Sequence, residues 1–195
     1  MGLYALHDPT VGAHYFDWRN SLNHKRRKKV AGKGEIMVTP STLAGRYQFN
    51  AGMLSELTRD FTEADWGTRQ DPFNAAHWIL AHIVRTRRAI LRMLGDDVPT
   101  EPWEEVTKMG SPPDGFMQAP SAKNLLDEFR TQGTRIKENL LAMSAEDASK
   151  PLQKALPDGS KTVGEGIHGF FYMHESYHIG QIGVVRRLLG KPGIV

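Results

Sequence analysis

Apolar residues recur every three or four positions in four separate stretches of this chain, the period of a helix with one buried face. The first seam is Leu43, Tyr47, Asn50, Leu54, Leu57 and Phe61. It opens on Thr39-Pro40, a capping residue followed by Pro at the first helical position. Asn50 is its polar break, explained either by a bond to neighbouring backbone or by a polar pocket nearby. The second stretch follows Asp71-Pro72, runs from about Phe73 to Leu94 and stops at Gly95. Ile79, His82, Ile83, Thr86, Ile90 and Met93 point inward. His77 falls about 140° around the helix from His82, and Arg85, Arg87, Arg88 and Arg92 read as a solvated or helix-pairing face. The third stretch starts at Ser121 with the seam Leu125, Phe129, Gln132, Ile136, Leu140 and Met143, and its acids Asp127, Glu128 and Glu138 are expected to face water. The fourth opens on Thr162-Val163-Gly164-Glu165, a capping box. It aligns Ile167, Phe171, His174, His178, Gln181 and Val185 before Gly190 and Pro192 end it.

A proline-rich connection over residues 95–120 separates the second and third stretches. Connections of that length act as lids or binding loops, or pack onto the body; Trp103 and Phe116 are the side chains to do either. Asp158-Gly159 marks a turn in the next connection. No stretch alternates with a strand's period. The fold class is therefore all-α: an antiparallel or mixed four-helix bundle over residues 37–195, with any site built from side chains on facing helices.

Composition narrows the chemistry. The 195 residues include no Cys, which excludes disulfides, thiolate metal ligands and a cysteine nucleophile, and fits a reducing cytoplasm. No apolar run approaches a membrane span, and the N-terminus lacks the apolar core of a secretory signal. The formal net charge of +3 is unevenly placed. Residues 1–36 hold seven basic and three acidic side chains, and the remainder eighteen and nineteen. Lys25-Arg26-Arg27-Lys28-Lys29 fits a solvated, disordered extension, or a nucleic-acid patch or nuclear signal. The bundle itself gives no reason to bind nucleic acid. Lys33-Gly34-Glu35 can be written in purine-rich codons resembling a ribosome-binding site just ahead of Met37. Translation is therefore expected to begin at Met37, which the intact mass of the natively expressed protein decides.

His174 and His178 are four residues apart, hence on one helical face. His82 lies on the inward face of another helix. Three imidazoles in one small core would leave several polar groups unpaired unless they serve a cation. Three His ligands leave open coordination positions, as in a catalytic site. His174-Glu175-Ser176-Tyr177-His178 also spells the zinc-protease string. Those enzymes take a third ligand downstream, and residues 179–195 contain no His, Asp or Glu. Glu175 sits about 100° around the helix from His174. It supports the ligands, acts as a base on bound water, or faces solvent.

Trp78-Ile79-Leu80-Ala81-His82-Ile83, together with His174-Glu175-Ser176-Tyr177-His178-Ile179-Gly180-Gln181-Ile182 ahead of Arg186-Arg187-Leu188-Leu189-Gly190, resembles the DinB/YfiT-like superfamily over roughly residues 37–193. Residues 1–36 depart from its pattern. The resemblance implies a four-helix bundle, often a homodimer, holding a divalent metal through His82, His174 and His178. Zinc or nickel is the expected ion; manganese and iron also accept three imidazoles. It further implies a transferase that joins a low-molecular-weight thiol (bacillithiol, mycothiol or glutathione) to a small electrophile. Glu175, read from its own place in the string rather than from the resemblance, is the candidate catalytic side chain. Metal-assisted hydrolysis of a small-molecule substrate, or a non-catalytic dimer with a vestigial or regulatory metal, are the alternatives.

Overall fold

The computed structural model of the chain describes residues 39–194. The expectations for residues 1–36 and for a start at Met37 lie outside the described residues. In order the chain forms α1 (Pro40–Thr58), α2 (Glu63–Gly67), α3 (Ala76–Met93), α4 (Trp103–Val106), a 3-10 turn (Gly115–Gln118), α5 (Ala122–Ala142), α6 (Ala145–Ser149), α7 (Val163–Gly166), a π-helical turn (Ile167–Phe171) and α8 (Tyr172–Leu188). Among the described residues the nearest thing to a strand is one isolated bridge between Pro151 and Thr162.

Local chemistry sets most of these boundaries. The Thr39 hydroxyl accepts from the Thr42 amide and Pro40 begins α1. Thr62 and Asp65 form a capping box that makes a short helix, α2, where the sequence reads as loop. Ser121 caps α5, and the capping box at Thr162 and Glu165 starts α7 as expected. α3 begins three residues later than its Asp71-Pro72 signal suggests. Asp71 pairs with Arg69 at 2.6 Å instead of capping, and the Phe73 amide closes a turn onto the Gln70 carbonyl. Gly95, at φ 95°, ends the helix with the Asp96 amide bonded back to the Leu91 carbonyl.

α1 packs against α5 and α8, and α3 packs against the same two, so α1 and α3 lie diagonally opposite. Tyr47 donates to the Ile167 carbonyl and Arg186 to the Leu57 carbonyl, which makes α1 and α8 parallel. Arg87 donates to the Phe129 carbonyl and Asn139 to Asp96, so α3 and α5 are also parallel. Consecutive parallel helices need a return path. The 18 residues of α3 span about 27 Å, and the proline-rich connection runs that distance back. It is part of the bundle's topology.

Its anchors are the arginines that the sequence assigns to a solvated or helix-pairing face. Arg87 and Arg88 are buried. Arg88 and Arg92 both donate to the buried Glu104 carboxylate, at 2.9 and 2.7 Å, and Arg88 and Arg92 also bond the Pro99 carbonyl. Arg88 takes Glu128 as well, at 2.6 Å, so that acid does not simply face water. Trp103 enters the core and Phe116 packs on its edge. Covered on its outer side, α3 is buried nearly all round.

The core has two apolar clusters. Leu54, Ile79, Ile83, Leu125, Phe129 and Ile182 belong to one, and Leu43, Tyr47, Ile90, Leu91, Ile136 and Leu140 to the other. Each fully buried Leu or Ile contributes about 1.5–3 kcal/mol. Between them along the helices lie Asn50, Arg87 and Glu175, all buried.

The last helix differs from its predicted seam. Glu175, Ile179, Ile182, Val185 and Arg186 are buried, whereas His174, His178 and Gln181 are half-buried at the helix edge. The π-helical turn accounts for this. It accommodates one extra residue per turn, so the inward register after Ile167 moves on by one, from His174 and His178 to Glu175 and Ile179.

Candidate metal centre

α3 and α8 run in opposite directions, and their shared edge brings His82, His174 and His178 together. Each offers one ring nitrogen, and the three lie within 4.8 Å of one another. The ring centroids are 5.0, 4.7 and 4.4 Å apart in pairs. His77 stays outside, its Nε2 2.8 Å from the Pro120 carbonyl oxygen. The trio therefore sits at a helix seam with two of its rings half-buried, not in a closed interior.

Two of the rings are oriented by partners of their own. His82 Nδ1 lies 2.7 Å from the Thr107 carbonyl oxygen. A carbonyl only accepts, so Nδ1 carries the proton and Nε2 presents a lone pair. His178 Nδ1 likewise faces Gln181 Oε1 at 2.7 Å, and Gln181 in turn donates to the Tyr177 hydroxyl at 3.1 Å. Such outer bonds fix tautomer and ring angle in metal-binding histidines. Thr107 is delivered by the return connection that Arg88 and Arg92 hold. Nothing in the sequence pairs Thr107 with His82, since a backbone carbonyl leaves no residue signature.

The donor set fits a cation. His82 Nε2 and His174 Nε2 face each other at 3.0 Å, and His174 Nδ1 is buried with no hydrogen-bond partner. In the metal-free protein neutral His174 meets this contact by donating Nε2–H to the His82 lone pair; moving that proton to Nδ1 turns both Nε2 atoms toward a shared cation, and additional protons are poor occupants here. Burial, then the charges of His178 and His82, pushes His174 down to about 3. Burial and then His82 push His178 down to about 4, and burial lowers His82 against its bond to Thr107. Aromatic rings flank the ligands: Trp78 stacks on His82 at 5.0 Å, Phe170 lies by His174 and Tyr177 by His178.

These depressed values set a pH dependence for the metal-free protein. Above pH 6.5 the imidazoles are neutral whether folded or unfolded. As pH falls below 6.5 the unfolded chain takes up protons that the folded one refuses, so stability drops toward about pH 4 and 3, where His178 and His174 finally charge. Chelator-treated protein should lose melting temperature between pH 6.5 and 4. A His174→Ala/His178→Ala variant should lose clearly less over the same range; equal losses would show that the imidazoles do not titrate as described.

Glu175 turns inward. Its carboxylate accepts from Arg87 Nε at 2.7 Å, from Arg87 Nη2 at 2.9 Å and from Asn50 Nδ2 at 3.1 Å. At 2% exposure it is not a solvent-facing charge. Asn50 bonds no neighbouring backbone; it spans Glu175 and Ser176 Oγ, also at 3.1 Å. Arg87 continues to the Phe129 carbonyl at 2.6 Å and lies over the Phe129 ring. A Cβ on Gly133 would come 2.9 Å from Arg87 Nη1, so glycine there leaves room for the guanidinium.

A four-helix bundle carrying three convergent histidines defines a protein able to hold a metal ion between its helices. The model of the DinB superfamily matches residues 46–182, and the chain belongs to that family. Among curated proteins, none matches the chain. No helix among the described residues is long and apolar enough to cross a membrane.

Proposed function

We propose that His82, His174 and His178 hold one divalent ion, zinc or nickel, with manganese or iron as lesser fits. We further propose that the protein is a cytoplasmic transferase joining a low-molecular-weight thiol to a small electrophile. The observation that carries this is the 3.0 Å approach of two imidazole nitrogens, one of them fixed as a lone-pair donor by Thr107. A divalent ion with open positions makes a bound thiol a thiolate at neutral pH. Thr107 and Gln181 keep the rings in place. Trp78, Phe170 and Tyr177 supply apolar walls for the electrophile. The chain has no Cys, so the sulfur nucleophile comes from the cosubstrate. Its sulfur bonds to carbon, its proton leaves to solvent, and the leaving group departs from that carbon. With its carboxylate taken by Arg87 and Asn50, Glu175 supports the ligand helix.

Protein purified without a His-tag should contain stoichiometric metal by elemental analysis, and His82→Ala and His178→Ala should lose it. The wild type should couple bacillithiol, mycothiol or glutathione to a bimane or epoxide, and chelator should stop it. Ester turnover without thiol would move the reading to metal-assisted hydrolysis. Metal with neither activity would leave a non-catalytic bundle.

The family's tendency to dimerise has a counterpart on α8. Met173, Tyr177, Val184 and Leu188 are large apolar residues left exposed along one face. About a two-fold axis between Gly180 and Gln181, Met173 falls opposite Leu188 and Tyr177 opposite Val184, the self-complementarity that a symmetric pair requires. Nothing lies within 4 Å of a Cβ on Gly180, so backbones can approach there. Beside it runs a groove of about 420 Å³ lined by Phe49, Met53, Leu57, Ile179 and Ile194. Val184→Glu should convert a dimer to monomer in sedimentation; a wild-type monomer at all concentrations would end the proposal.

A further inference from the structure

The sequence of the last helix contains two faces able to point inward. One runs Ile167, Phe171, His174, His178, Gln181 and Val185, without a break in helical spacing. The other runs Glu175, Ile179, Ile182 and Arg186 and is the buried one. Ile167 and Val185 are buried as the helix stands, and the second face adds Ile179 and Ile182 but also buries a carboxylate and a guanidinium. Something other than hydrophobicity selects the rotation of α8. The π-helical turn supplies the extra residue that the shifted register needs, and side-chain bonds hold α8 in that register.

We infer that Arg87 and Asn50, acting through Glu175, are positioning residues for the metal centre: they set the rotation of α8 that carries His174 and His178 to the edge facing His82. The geometry is a three-helix clasp. Arg87 comes from α3, five residues from His82. Asn50 comes from α1. Glu175 sits on α8 directly after His174. Arg87 grips both carboxylate oxygens, which resists rotation of the helix as a single bond would not. Asn50 adds a second, independent direction of pull and also takes Ser176, the next residue along. Arg87 itself cannot swing, since the Phe129 carbonyl, the Phe129 ring and the Gly133 backbone enclose it. Turning α8 by one residue, about 100°, would bury His174 and His178, break every one of these bonds and take both rings from His82. The clasp thus specifies orientation at a cost in desolvation, a use attested for some buried polar groups.

The inference rests on the three-His reading, and the experiment separates the two. Zinc and cobalt affinities are measured by competition with a chelating indicator, alongside the cobalt absorption spectrum, on chelator-stripped wild type and on Arg87→Met/Glu175→Met. Replacing both partners by apolar residues of similar volume is tolerated by many folds, and far-UV circular dichroism checks that helicity is kept. The expected result is a folded variant with metal affinity at least about tenfold weaker, the scale of losses when outer support of a ligand is removed, and an altered cobalt spectrum. Asn50→Ala keeps the ion pair and serves if the double variant does not fold; it should weaken cobalt binding by about threefold or more and shift the spectrum. Affinity within about twofold of wild type and an unchanged spectrum, in whichever variant folds, overturn the positioning role. Absence of metal binding by the wild type overturns the three-His reading instead, and the positioning role with it.

Discussion

Cutting Glu175 back to alanine is expected to lower the unfolding free energy by about 3–5 kcal/mol. The readout is a fall in the urea midpoint with the slope unchanged. The cause is what remains. The Arg87 guanidinium, 0% exposed, would keep its carbonyl partners but no anion. Arg87→Ala should cost a similar amount, leaving the carboxylate with Asn50 alone. Against a total of about 5–15 kcal/mol for a domain, either change is large. The contrast is Asp127→Ala, which removes exposed pairs with Lys123 and Arg130 and should leave the urea midpoint close to that of the wild type. A Glu175→Ala variant as stable as Asp127→Ala would mean that water reaches the ion pair.

Adding a divalent ion to chelator-stripped protein should raise its stability by about 4 kcal/mol at a thousandfold excess over the dissociation constant. For a chain of this size that corresponds to a melting temperature higher by roughly 10 °C. His82→Ala should abolish the shift, because two ligands from one helix no longer tie α8 to α3. His77→Ala should keep it in full, since that ring bonds Pro120 and takes no part in the trio. A shift that survives His82→Ala would place the ion elsewhere.

The seams of α1 and α5 could be read directly, because every inward position there follows an unbroken helical period. Leu43, Tyr47, Asn50, Leu54 and Leu57 are buried in α1, and Leu125, Phe129, Gln132, Ile136 and Leu140 in α5. The convergence of His82, His174 and His178 was also legible, from His spacing on two helices. Three things were not. The rotation of α8 depends on a π-helical turn, which has no residue signature in Ile167–Phe171. The burial of Arg87 and Arg88 depends on acids far along the chain, Glu175 and Glu104, that arrive only through tertiary packing. The role of the proline-rich connection depends on α3 and α5 being parallel, and helical period carries no information about direction.

His82 and His174 meet across 92 residues of sequence, and α1 closes on α8 across 129 between Leu57 and Arg186. Such distant pairings require long loop closures, which slow folding. During synthesis, α1, α3 and α5 leave the ribosome as three sides of an open trough whose fourth wall is still inside the tunnel. A nascent chain halted before His178 therefore has only two of the three clustered imidazoles. If the three-His site holds the proposed cation, its loading becomes an end-of-translation event, and the interval before it is when the apolar trough is uncovered.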